Sequence, residues 1–150
     1  MPSSPTRPAS AVLAACLVLA ACAGEEGDAI GRDTEPFSGI AEDEVIEVTG
    51  NEPFWGITID QAAGVAAYST PENIDGTRFE AARFAGNNGL GFTGTLASGE
   101  GVVVTITPGE CSDGMTDRTY PFTATAKIGG RDLEGCAFTD SQGFTGPAAP

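Results

Sequence analysis

A chain of 150 residues with 21 acids, seven bases and a formal net charge of −14 has room for one domain once an export segment is set aside. That charge excludes a nucleic-acid binder, makes anionic membrane surfaces poor partners, and favours approach by a basic protein. The sequence holds no histidine, which removes Ser-His-Asp and Cys-His nucleophiles and His-based zinc sites. Paired carboxylates stay formally open, but one chain of this size rarely offers the long cleft of a polysaccharide hydrolase. No enzyme is expected, and no cofactor.

At the N-terminus "MPSSPTRPAS" precedes the apolar run "AVLAACLVLAAC". Ala11 to Ala23 is about two-thirds of the ~20 residues needed to cross hydrocarbon, so the run reads as a signal-peptide core. The tetrapeptide "LAAC" occurs twice, ending at Cys16 and Cys22, and is similar to the lipobox of bacterial lipoproteins. Cleavage before Cys16 would leave an apolar core of only about half a dozen residues, below the usual range. Cys22 is therefore the expected lipidated residue, residues 1–21 the signal peptide, and Cys16 a passenger. Acyl chains worth ~0.8 kcal/mol per methylene make such an anchor effectively permanent. Ala23 in place of an aspartate implies sorting to the outer membrane, facing the periplasm.

From Ala23 to Glu44 the chain carries eight acids and one base among scattered Gly and Pro. Residues 22–44 are thus expected to form a disordered, self-repelling tether.

Residues 45–140 change character. Short β-branched and aromatic runs alternate with turn signals, and strands are expected near Glu44–Thr49, Trp55–Asp60, Val65–Thr70, Arg78–Phe84, Gly91–Ala97, Val102–Thr107, Tyr120–Ile128 and Arg131–Phe138. "RFEAARFA" is the one stretch that reads equally as a short helix. A Gly129-Gly130 loop would set Lys127 opposite Asp132 and Ala126 opposite Leu133. The expected fold class is all-β, a small antiparallel barrel or sandwich of about eight strands, monomeric and followed by a flexible tail over residues 141–150.

Cys111 and Cys136 are the cysteines left after export. An even pair in a small exported domain reads as a disulfide, the rival being a reactive thiol without a nearby histidine. Closing this loop would stabilise by about 3.5 kcal/mol. Strict alternation sets Cys136 on the face of Glu134 and Thr123, so either the bridge lies outside the core or a bulge at Gly135 turns it inward.

"GNEPFW" at Gly50–Trp55, "YSTPE" at Tyr68–Glu72, "CSDGMTDRTYPF" at Cys111–Phe122 and "GCA" at Gly135–Ala137 form a set that resembles a family of small, uncharacterised bacterial lipoproteins and periplasmic proteins. Some of its members carry META-type or C-type-lysozyme-inhibitor-type modules beside this domain. The resemblance implies an envelope-located β domain and carries over no catalytic residue. The lysozyme-inhibitor lipoproteins are similar in size and anchoring, but this chain has no counterpart of their Tyr-rich, tandem-Trp stretch.

Within these motifs, Asp113 is expected to cap the turn at Gly114. A cation held by Asp113 and Asp117 with Glu110 would lack the ligand spacing of a calcium loop, so no metal is expected. Arg118 should fork onto a carboxylate, Glu52 first and Asp113 second, with Tyr120 and Pro121 leading into the next strand. Asn51 and Pro53 shape a turn, while Phe54 and Trp55 supply core surface or, alternatively, a ligand-binding aromatic. Three functions fit: an envelope module binding a protein or cell-wall partner, an inhibitor of a basic hydrolase such as C-type lysozyme, or a small-ligand carrier using the barrel interior.

Overall fold

Alternation of β-branched and aromatic residues with small or polar ones draws the chain into nine strands: β1 (Val45–Asn51), β2 (Phe54–Asp60), β3 (Val65–Thr70), β4 (Asn73–Glu80), β5 (Ala82–Ala85), β6 (Leu90–Thr95), β7 (Gly101–Ser112), β8 (Thr119–Ile128) and β9 (Arg131–Thr139). The computed structural model describes Met1 and residues 35–147, so Cys16, Cys22 and the signal peptide lie outside the described residues. All neighbours pair antiparallel in the order β4-β3-β2-β1-β9-β8-β7-β6-β5. Pairing of the first strand with the last joins the meanders β1–β4 and β5–β9 into one sheet, which curls until β4 approaches β6 in a nearly closed barrel, and the fold is all-β as expected.

Period-two alternation decides which side chains fill the barrel. Val48 of β1, Ile57 of β2, Phe92 of β6, Ile106 of β7 and Ile128 of β8 are each at most 3% exposed, and each such side chain contributes about 1.5–3 kcal/mol of burial. The final hairpin forms as read. Gly129 and Gly130 take φ of 55° and 86°, as a primed turn demands. Lys127 then faces Asp132 at 3.3 Å, and Ala126 faces Leu133.

Three expectations change. The single strand at Arg78–Phe84 is the end of β4 and most of β5, separated by Ala81, and no helix forms at "RFEAARFA". Phe79 and Ala81 are both buried, a period of two that outweighs the helical propensity of alanine and glutamate. The chain also enters β4 earlier than the turn signals suggest, with a register shift against β3 between Tyr68 and Thr70 accommodated at Gly76 (φ 75°).

The second change concerns the tether. Its last residues, 35–44, pack on the barrel instead of standing clear of it. Ile40 is 1% exposed within the core, Phe37 packs beside it and donates its N–H to Gly86, and Gln61 donates to the carbonyls of Ala41 and Glu44. Two apolar residues among the acids suffice to hold the segment down. The third is the tail: Thr145 bridges Thr119 on both backbone groups, and Phe144 packs against Tyr120 and Phe138 with centroids 5.5 and 5.3 Å away. The folded unit therefore extends on both sides of residues 45–140.

Candidate functional site

The register of β8 against β9 is unbroken from Ile128–Arg131 to Phe122–Ala137. No bulge stands at Gly135, so Cys136 points outward, yet it is only 1% exposed. Cys111 covers it, through a disulfide with a Cα–Cα distance of 5.6 Å. The irregularity lies on β7 instead. Pro108 to Cys111 spans the stretch that Phe122 to Tyr120 spans on β8, one residue more, and this extra residue turns the end of β7 toward β9.

Gly135 has a different task. Trp55 is 4% exposed, and its indole lies across Gly50 and Gly135. A Cβ on Gly50 would stand 2.0 Å from Trp55 Nε1, and one on Gly135 would stand 3.1 Å from Cζ2 and 2.2 Å from the Thr49 carbonyl. Both glycines are slots for one ring and for the close approach of β1 and β9. Trp55 is thus a core residue, its indole N–H without an acceptor among the described residues. Its neighbour Phe54 was expected in the core as well, but is 52% exposed. Adjacent strand residues face opposite sides, so one of the pair must point to solvent.

The segment after Cys111 is organised by Asp113. Its Oδ1 accepts the N–H groups of Met115 (3.0 Å) and Thr116 (2.8 Å), and its Oδ2 accepts the hydroxyls of Thr116 (2.7 Å) and Tyr120 (3.2 Å). Burial pushes this carboxyl up, but the bonds from the Thr116 side chain and backbone, Met115 and Tyr120 outweigh it and hold the group at about 2. With four donors on it, the carboxylate is a structural acceptor and has no capacity left for proton transfer. The Asn51 side-chain amide donates to the Asp113 carbonyl, tying this loop to the β1–β2 turn, where the Glu52–Pro53 bond is cis.

Arg118 is not joined to Glu52 or Asp113, the two carboxylates expected for it. Its Nε donates to the Pro147 carbonyl at 2.7 Å and its guanidinium lies 4.4 Å from the Phe144 ring centre. The ion pairs among the described residues are Arg83–Glu42 and Lys127–Asp132. Neither Glu52 nor Asp113 pairs with Arg118, because Asp113 is saturated from its own loop and Glu52 sits on an exposed turn. Asp117 and Glu110 are exposed, and no group of three or more His, Cys, Asp or Glu among the described residues is placed to hold a metal.

These elements enclose a cleft of about 540 Å³ on the outer face of β1, β9 and β8, walled on one side by Cys111–Met115. Asn51, Glu52, Asp113 and Cys136, expected from the motifs, meet here, together with Thr49, Thr123, Thr125 and Glu134. Arg118 and Tyr120 do not line it. The lining carries three acidic residues, Glu52, Asp113 and Glu134, of which Asp113 is taken up by its own hydrogen bonds, and no lysine or arginine. Glu134 and Met115 were missed as site residues. Glu134 shares the outward face of Cys136 by simple alternation, which was a usable signal, whereas Met115 reaches the cleft only through the path of its loop. A second cleft of about 330 Å³ adjoins the first, sharing Thr49 and Gly50, and is bordered by Phe54, Pro71 and Ile74.

Comparison with protein-family models, curated proteins and solved structures finds no match to this chain.

Proposed function

We propose that this chain is an outer-membrane-anchored periplasmic lipoprotein whose barrel is a non-enzymatic binding module, with the acidic cleft receiving a lysine or arginine side chain of a basic protein partner. The observation that carries this reading is the meeting of three separated sequence motifs around a cleft lined by three acidic residues, two of them not taken up by hydrogen bonds of their own loop, and by no lysine or arginine. Glu52 and Glu134 supply the charge, and the hydroxyls of Thr123 and Thr125 with the Asn51 carbonyl oxygen supply neutral acceptors. A chain at −14 adds long-range steering of a basic partner. Anchoring rests on the second "LAAC" ending at Cys22.

Inhibition of a basic hydrolase such as C-type lysozyme is a special case of the same reading, since an arginine or lysine of the enzyme would seat in the same cleft. The carrier reading finds no such support: Trp55, Phe79, Phe92 and Phe122 all project into the barrel and are at most 6% exposed.

Capture of envelope proteins on the immobilised full chain tests the proposal. Enriched partners should be basic, and binding should weaken about tenfold in the Glu52→Gln/Glu134→Gln variant and fall with added salt. Equal capture by wild type and variant would overturn the cleft as the binding site.

A further inference from the structure

The second cleft differs in kind from the first. In a chain with 21 acids, none of the residues that line it is ionisable. Its rim is built from two large apolar side chains held out in solvent, Phe54 at 52% and Ile74 at 85% exposure, with Pro71 of the β3–β4 turn beside them. Neither exposure is an accident of a loose loop. Phe54 is the outward partner of the inward Trp55. Ile74 lies where β4 slips its register against β3 beside Gly76, and such bulges re-aim side chains out of the regular pleat. Exposed apolar side chains gathered on a concave surface mark an interaction site more strongly than scattered ones.

Contiguity specifies the occupant. The uncharged cleft shares Thr49 and Gly50 with the cleft that holds Glu52 and Glu134, so one ligand can lie in both. We infer that the two clefts are halves of one groove that binds a protein segment in which an apolar side chain stands beside a lysine or arginine. The apolar side chain seats between Phe54 and Ile74, and the cation seats between Glu52 and Glu134. Charge complementarity fixes the direction of the segment, and burial of the apolar anchor supplies the affinity that an exposed ion pair alone does not. In an extended segment, residues i and i+2 point the same way about 7 Å apart, so that spacing matches neighbouring subsites. The inference rests on the proposed role of the acidic cleft.

Fluorescence anisotropy on the purified full chain tests it with two labelled decapeptides, one carrying Phe-Ser-Lys and the other Ser-Ser-Lys, otherwise identical. The Phe peptide should bind at least about tenfold more tightly to wild type, the effect of burying one large apolar side chain. In the Phe54→Ser/Ile74→Ser variant the two peptides should bind alike. Both substitutions fall on exposed side chains, so folding is expected to survive and circular dichroism checks it. A Phe advantage that persists in the double variant would overturn the inference while leaving the acidic cleft in place, provided Glu52→Gln/Glu134→Gln still weakens both peptides. No binding of either peptide would overturn the proposed function and the inference together. Concentration-dependent dimerisation of wild type that disappears in Phe54→Ser/Ile74→Ser would give the apolar half to a second copy, and would also overturn the inference.

Discussion

Trp55 shows how far a single residue shapes its surroundings. The ring requires bare backbone beneath it at Gly50 and Gly135, and the same two positions let β1 and β9 approach. Gly50→Ala and Gly135→Ala should each therefore cost at least about 1–3 kcal/mol through overpacking, read as a lowered urea midpoint with unchanged m-value. A neutral effect would mean that the indole moves aside freely. Asp113 makes a second prediction at this scale. Its folded value of about 2 lies below the ordinary 3.8, so its ionised form stabilises the fold above the ordinary value. That contribution is lost as pH falls from about 4 toward 2. Stability curves of wild type and Asp113→Asn should differ at pH 6 and converge as pH approaches 2; parallel curves would contradict the assignment. The capping role of Asp113 was legible, because an Asp before a Gly announces its own turn. The partner of Arg118 was not legible. Phe144 and Pro147 lie in a tail whose composition gives no sign of order.

At the scale of elements, local signals competed with burial, and burial decided the outcome. Charge density suggested that residues 35–44 stay in solvent, yet Ile40 sits in the core cluster at 1% exposure. Ile40→Ser should cost at least about 2–5 kcal/mol, the range for deleting a buried aliphatic side chain, and should raise amide exchange across 37–44. Unchanged stability would return this stretch to the tether. The disulfide was read from the cysteine count and export, while its location outside the core followed from alternation once the alternative bulge at Gly135 was excluded by the ladder. The division at Ala81 was hidden for a different reason. "RFEAARFA" satisfies both periods over so short a run, and only its packing distinguishes them.

For the molecule as a whole, the fold class was legible because turn residues recur between short β-branched runs, a pattern that few architectures share. The groove was not. It needs Asn51 beside Asp113, 62 residues away in sequence, and Glu134 lining the same cleft as Glu52, and no local pattern reports such meetings. The junction of β1 with β9 has one more consequence, and it concerns the order of events as the chain folds. Until the last strand is present, β1 has hydrogen-bonding groups open along one side, the arrangement that invites pairing between molecules. Joining the two meanders into one sheet also waits for contacts between residues as distant as Ile46 and Thr139, which makes barrel formation a slow, late step. A chain stopped after Ile128 should therefore assemble into sheet-rich aggregates instead of a shortened barrel, as light scattering would show. The interval before β9 arrives is therefore the time at which a chaperone would matter most.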